Sequence, residues 1–285
     1  MRVILTLLCR NEADIIASTV EFHLRRGVDM ILVTDNGSTD DTLPILEAFQ
    51  RQGVLRLLHE PSHTHDQAVW VSRMSRLAAQ EYGADWVIPC DADEFWWPRS
   101  GSFKSELACI PSDQMALAVK RVNFLPPAAD DPAGLPFHQS QILRDHISRN
   151  SLGDPLPGKV CHRGHGAITV ADGNHGVYIG GVAVPSHPHD GMEILHFPVR
   201  SYAQLERKIR EGAQALARNT RVAPEVGLTW RRLYSDYLLK GTLPDYYASL
   251  RPDADTLANA LASGQLLEDR RLQQEFARLG KSDQP

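Results

Sequence analysis

The sequence predicts an α/β fold: a Rossmann-like, mostly parallel central sheet followed by a helical C-terminal extension. Three observations predict it. Over roughly the first ninety residues, short apolar runs alternate with stretches of helical spacing. Three of those runs end in polar, mostly acidic clusters. After His196 the apolar spacing becomes helical throughout. These features divide the chain into a sheet domain at 1–200 and a helical extension at 201–285.

Val3 to Leu8 is apolar except for Thr6, as a buried parallel strand requires. Asn11 is placed to cap a helix running to about Arg26, with Asp14 in the capping-box position and Gly27 as the stop. Met30 to Thr34 reads as a second strand. Ser38, Thr39, Asp40 and Asp41 open a second helix, whose Ile45, Leu46 and Phe49 turn to the core and which Gly53 ends. Val54 to Leu58, Gln67 to Tyr82 and Trp86 to Cys90 continue as strand, helix and strand. The β-α-β-α-β-α-β order implies parallel pairing with helices on both faces.

From Asp91 to Gly191 the pattern weakens, and Pro and Gly recur, as in Leu125-Pro126-Pro127 and Gly153 to Gly158. Short strands are expected near Ala116 to Val122 and Ala167 to Val170, with a long loop at Asp130 to Pro136. Helices are expected at Tyr202 to Arg218, around Trp230 to Leu238, and as two short pieces between Leu257 and Phe276 on either side of Gly264. The tail from Lys281 to Pro285 is expected to be disordered.

Hydrophobic residues make up 42% and charged residues 23% of the 285, enough apolar side chain for a full core. The formal net charge of -5 predicts no broad surface for nucleic acid or anionic membrane. No stretch approaches a membrane span, and Arg10-Asn11-Glu12 directly after the first apolar run argues for a strand over a signal peptide. Cys9, Cys90, Cys109 and Cys161 form no C-x-x-C pair and read as reduced thiols of a cytoplasmic protein.

In a doubly wound sheet, ligands bind beyond the carboxyl ends of the strands. Here those ends carry Arg10-Asn11-Glu12, Asp35-Asn36-Gly37-Ser38 and Asp91-Ala92-Asp93-Glu94. Asn11 and Ser38 to Asp41 serve equally well as caps and turns. Asp91, Asp93 and Glu94 are different, because three carboxylates so close repel unless a cation joins them. Alternating side chains of an Asp-x-Asp turn can point the same way and hold Mg²⁺ or Mn²⁺, hard ions that bind substrate phosphates. The chain lacks both the G-x-G-x-x-G and G-x-x-x-x-G-K-[ST] patterns, which argues against dinucleotide enzymes and P-loop ATPases.

Leu8-Cys9-Arg10-Asn11-Glu12, Val33 to Asp40, and Asp85-Trp86-Val87-Ile88 leading into Asp91-Ala92-Asp93-Glu94-Phe95 occur in an order and spacing that resembles family 2 glycosyltransferases of the GT-A fold, in the branch with a D-x-D-E-F signature. The likeness is good over Val3 to Phe95 and fainter to about Lys208. It implies a metal-dependent transferase that moves a sugar from a nucleotide-sugar, UDP- or dTDP-linked, to the hydroxyl of a glycan or other acceptor, with inversion. It implies that Asp35 reads the base, that Arg10 and Glu12 neighbour base and ribose, that Asp91 lies near the ribose, and that Asp93 is the main metal ligand. Arg73 is placed on a nucleotide-contacting helix, with a surface salt bridge as its other reading.

Downstream, the resemblance implies that His196 completes the metal site, or else is a core histidine, and that Arg200 and Lys208 cover the diphosphate. It places Lys159, Arg163 and His175 on the acceptor or phosphate side. The dense histidines from His162 to His196 also admit a zinc site. Direct displacement needs a carboxylate base, for which Asp172 and Asp190 are the candidates, each readable also as a turn residue. The competing functions are a nucleotide- or sugar-binding protein without turnover and a metal-dependent nucleotidyltransferase. The latter's Gly-rich basic first loop is replaced here by Arg10-Asn11-Glu12.

Overall fold

The computed structural model describes residues 1–62, 66–128, 134–149, 155–219 and 226–282. In chain order its elements are β1 (Val3–Cys9), α1 (Ile16–Arg25), β2 (Met30–Asp35), α2 (Thr42–Arg51), β3 (Leu55–His59), α3 (Gln67–Gln80), β4 (Trp86–Asp91), β5 (Glu94–Pro98), α4 (Phe103–Ala108) and β6 (Ala116–Asn123). There follow α5 (Phe137–Ser140), β7 (Leu143–Asp145), β8 (Lys159–Arg163), β9 (Ile168–Val170), a 3₁₀ turn (Asp172–Asn174), β10 (Val177–Ile179), β11 (Val182–Ala183) and β12 (Ser186–His196). The remainder is α6 (Tyr202–Arg218), α7 (Leu228–Leu233) running into a π turn (Tyr234–Leu238), α8 (Leu243–Ser249), α9 (Ala254–Ala262), β13 (Leu266–Glu268) and α10 (Arg271–Ser282). The chain divides into two compact units, Met1–Arg121 with Pro157–Leu195, and Val122–Leu156 with His196–Pro285.

The large sheet has the order β3-β2-β1-β4-β8-β6-β12-β5. β3, β2, β1 and β4 are parallel, as the β-α-β-α-β-α-β reading requires, while β8 runs antiparallel to both β4 and β6. β1 lies at the centre of the parallel half and is covered on both faces. Val3, Leu5, Leu7 and Cys9 pack in one apolar cluster with Ile16, Val20, Ile31, Val33, Ile88 and Phe103. Ile4 points the other way, with Leu32 and Val87, against Val71, Met74 and Ala78 of α3. This period-two division explains why β1 is apolar at nearly every position. Each fully buried Leu or Ile contributes about 1.5–3 kcal/mol.

Gly27 ends α1 as expected, with φ at 95° and its amide donating to Leu24 O. The start of α1 differs from the sequence reading. Asn11 does not cap it, since the helix begins at Ile16 and no side chain caps the N-terminus. Asn11 instead sits at φ 54° and accepts hydrogen bonds from Thr39 N at 2.7 Å and Thr39 Oγ1 at 3.3 Å. A contact across 28 residues outcompetes the local cap. The sequence pattern also missed β5, β8, β12 and α8.

In the second unit, Leu205 and Ile209 of α6 pack with Leu233 and Leu243, flanked by Tyr202, Tyr234, Tyr237, Tyr246 and Tyr247. Ser201 caps α6 by accepting from Gln204 N at 3.1 Å. The two short helices expected around Gly264 are α9 and α10, with β13 between them pairing β7. The expected loop at Asp130 to Pro136, the Gly153 end of the Gly/Pro-rich stretch and the last three residues of the tail lie wholly or largely outside the described residues, whereas Lys281 and Ser282 belong to α10.

Candidate active site

Strand register brings the polar clusters to one edge of the parallel sheet. Leu8 is level with Thr34 on one side and Asp91 on the other, and Cys9 is level with Asp35. Neighbouring strands are about 4.8 Å apart, so the ends of β2 and β4 flank β1 at a separation of about 10 Å.

The first cluster joins β1 to β2. Asp35 is 3% exposed, and its two oxygens accept separately from Ser38 Oγ and from Ser38 N at 3.2 Å. Ser38 Oγ also accepts from Asn11 N at 3.0 Å, and the Arg10 guanidinium donates to Asn36 O at 3.0 Å. Glu12 N donates to Thr42 Oγ1 at 2.8 Å. Arg10, Glu12 and Asp35 therefore share one hydrogen-bonded loop pair. Arg73 is exposed and lies 3.9 Å from Glu60, whose amide donates to Asp35 O at 2.9 Å. The surface salt bridge is thus the observed contact of Arg73, and it lies at the Asp35 end of the sheet.

The second cluster surrounds Asp91. Its Oδ1 accepts from Gln67 Nε2 at 3.1 Å and Asn174 Nδ2 at 3.2 Å, and its Oδ2 accepts from the Lys159 ammonium. Lys159 is 1% exposed and also reaches Glu94 Oε1 at 2.7 Å. Glu94 is fully buried, with the Arg121 guanidinium at 3.5 Å and Asp91 N donating to its Oε2 at 3.3 Å. Burial pushes the Asp91 carboxyl up, but the nearby Lys159 charge prevails and holds it below the usual carboxylate range. Burial conversely weakens the hold of Lys159 on its proton, and Asp91 and Glu94 more than reverse this, so its pKa is raised. The sequence reading looked to a bound metal to relieve the repulsion of these carboxylates, whereas Lys159 and Arg121 are cations the protein itself supplies. Two carboxylates, Asp91 and Glu94, face two cations, and Asp93 beside them is 3% exposed.

His175 stands beside this cluster, its Nδ1–H donating to Gly158 O at 2.8 Å. Burial lowers its pKa, and the Lys159 and Arg121 charges lower it further. Gln67 and Asn174 were not singled out from the sequence. The one available sign was the Gly-Asn-His triplet ending in His175, because Asn tolerates the left-handed φ of 59° seen at Asn174.

Arg163 is not part of this group. It is level with Trp86, at the opposite end of β4 from Asp91, and its guanidinium lies 4.7 Å from the Trp86 ring. It donates to Gln114 O at 3.1 Å and to Ile110 O and Pro111 O at 3.0 Å, which anchors the loop before β6. Arg163, expected on the acceptor or phosphate side, thus lies at the other end of β4 from Asp91.

Of the two base candidates, Asp172 accepts from Ala68 N at 3.2 Å in the first turn of α3, next to Gly173, whose amide donates to Gln67 Oε1 at 3.0 Å. Asp190 is 77% exposed and paired with Lys120 at 2.9 Å, which lowers its pKa. In the second unit, His196 Nδ1 lies 2.7 Å from Asn123 Oδ1. Arg200 is buried and donates back to Phe197 O at 3.1 Å, as an anchor for the turn before α6. Lys208 lies on α6, partly buried.

Among the described residues, no group of three or more His, Cys, Asp or Glu side chains is arranged to hold a metal ion. The histidines do not converge as a zinc site would require. His162 donates to Arg163 O and accepts from Ser75 Oγ, and His189 lies 3.8 Å from Glu106. Magnesium-type ions need no such group, since one or two carboxylates and the phosphates of a substrate suffice. Asp93 fits that simpler requirement.

A parallel sheet with carboxylates gathered at the carboxyl ends of its strands is the arrangement in which α/β proteins bind ligands at that edge. Residues 6–100, from β1 through β5, match the family model described as glycosyl transferase family 2. No curated protein matches the chain. Among solved structures it is similar to Staphylococcus aureus TarS 1-349 in complex with UDP-GlcNAc, at 12% identity over 84% of this chain and 72% of that one, with a TM-score of 0.43. It is also similar to the mannosyltransferase PcManGT of Pyrobaculum calidifontis in complex with GDP-Man and Mn²⁺, at 16% identity, 92% and 76% coverage and a TM-score of 0.35. A third is glucosyl-3-phosphoglycerate synthase of Mycobacterium tuberculosis, in complex with Mn²⁺, UDP and glucosyl-3-phosphoglycerate, at 19% identity, 57% and 56% coverage and a TM-score of 0.34. Among the described residues, no helix is long and apolar enough to cross a membrane.

Proposed function

We propose that this protein is a glycosyltransferase that takes a sugar from a UDP- or dTDP-linked donor and places it, with inversion, on the hydroxyl of a glycan or other acceptor in the cytoplasm. The observation that carries the reading is the register that sets Asp35 and Asp91 on either side of β1, inside the segment matched by the family model. Asp35 accepts from the N3–H of the base, with Arg10 and Glu12 beside it and Arg73 nearby. Each of its oxygens accepts one hydrogen bond from Ser38, and a carboxylate has about four lone-pair sites. Asp91 meets the ribose, since its side chain, although held by three donors, keeps 30% exposure.

Asp93 holds the divalent cation, Mn²⁺ or Mg²⁺. Such an ion, when bound, neutralises the charge that develops on a diphosphate leaving group. His175 lies on the phosphate or acceptor side. For the base we favour Asp172 over Asp190. Asp172 adjoins Gly173 and Asn174, which contact Gln67 and Asp91, whereas the pairing of Asp190 with Lys120 makes it a weaker proton acceptor.

Calorimetric titration of the protein with UDP, dTDP and GDP, with Mn²⁺ or EDTA, tests the donor reading. UDP or dTDP is expected to bind only with the metal and more tightly than GDP. Tight binding of GDP without metal contradicts it.

A further inference from the structure

We propose that Lys159 is a positioning residue for donor binding: its buried ammonium fixes the Asp91 carboxylate from inside the protein, so that this side of the donor pocket is formed before donor or metal arrives. The inference rests on the reading that Asp91 meets the donor. Removing an ammonium from water costs several kcal/mol unless opposite charges and hydrogen bonds surround it. At 1% exposure, Lys159 bears that cost, and its Nζ contacts both Asp91 and Glu94.

Asp91 is gripped by three elements that are distant in sequence. Gln67 comes from the first turn of α3, Asn174 from the 3₁₀ turn, and Lys159 from the first position of β8. Glu94, fully buried, ties the other side of the ammonium to Arg121 and to the Asp91 amide. The arrangement fixes both the charge and the direction of a carboxylate that still reaches solvent, as a preorganised binding group requires.

A purely structural Lys159 would do no more than balance the charge of Asp91 and Glu94. Two variants separate the roles. Lys159→Met removes the ammonium and leaves the buried carboxylates in excess. Lys159→Met with Glu94→Gln removes one charge of each sign, leaving Asp91 opposite Arg121, so bulk balance is restored while Asp91 still lacks its partner. The full chain is titrated calorimetrically with UDP and with GDP in the presence of Mn²⁺, and thermal unfolding followed by circular dichroism monitors the fold.

The expected result is that the single variant loses at least about tenfold in affinity for the diphosphate the wild type binds, about 1.4 kcal/mol. The double variant unfolds as cooperatively as the wild type and keeps that loss. Affinity within about twofold of wild type in either variant overturns the proposal, as does a double variant that fails to fold. A wild type that binds neither diphosphate overturns the functional reading and this inference with it.

Discussion

At the scale of single residues, the acidic turn divides its work. Asp91 and Glu94 contact Lys159 and Arg121, whereas Asp93 is the carboxylate assigned to the metal. Asp93→Ala is therefore expected to leave the fold intact and to lower transfer by about 10²–10³, the usual effect of removing one key electrostatic contact. Steady-state rates check this, and a variant with more than about half of wild-type turnover would rule out the metal role. The acidic turn was legible in the sequence because its members are neighbours in the chain. Its internal cations were not, since Lys159 reaches Asp91 across 68 residues and only the pairing of β8 with β4 brings them together. Arg163, four residues further along the same strand, looked equivalent in the sequence, yet lies at the far end of β4.

At the scale of elements, β8 decides where these cations sit, and a glycine precedes and follows it. A Cβ on Gly158 would lie 2.8 Å from Val119 O, beside Lys159, while one on Gly164 would lie 1.9 Å from Ala84 O, at the opposite end. Gly164→Ala is expected to lower stability by about 1–3 kcal/mol, the usual cost of overpacking, and to leave UDP affinity within about twofold. Gly158→Ala is expected to shift the start of β8 and weaken UDP binding more than it weakens the fold. Urea unfolding and calorimetry on both variants test the contrast, and equal effects on affinity would contradict it. The elements most legible in the sequence were β1, β2 and β4, because strands covered on both faces read as continuous apolar runs. β12 was missed for the converse reason. Its first half, Ser186 to Gly191, is polar, contains Pro188 and lies partly exposed, so no apolar run marks it.

At the scale of the whole molecule, stability should depend on two histidines that the site does not use. His23 is fully buried, stacked on Phe95 and Phe103, with Nδ1–H donating to Thr19 O at 2.7 Å and Nε2 accepting from Trp96 N at 3.2 Å. His162, equally buried, donates through Nδ1 to Arg163 O at 2.9 Å and accepts from Ser75 Oγ at 3.4 Å. In both, the acceptor nitrogen has no place for a proton. Burial lowers each pKa from 6.5 to about 4, only partly opposed by the carbonyl that each ring faces. The folded values lie below the unfolded ones, so the stability that neutral imidazoles contribute is complete above the unfolded pKa of 6.5 and is lost as pH falls from there toward about 4. Integrated down to about pH 5, the loss is about 2 kcal/mol for each histidine. Asp91, whose pKa is also lowered, contributes stability that disappears only below the usual carboxylate range, so the two histidines are expected to dominate the window between. Urea midpoints of the wild type should fall steadily from about pH 7 to about pH 5. His23→Gln should start from a lower midpoint, because Gln cannot reproduce the ring stacking, and then fall with about half the slope. A wild-type midpoint that stays flat across this range would mean that both rings accept a proton without breaking their contacts to Trp96 and Ser75, which the geometry of the two sites forbids.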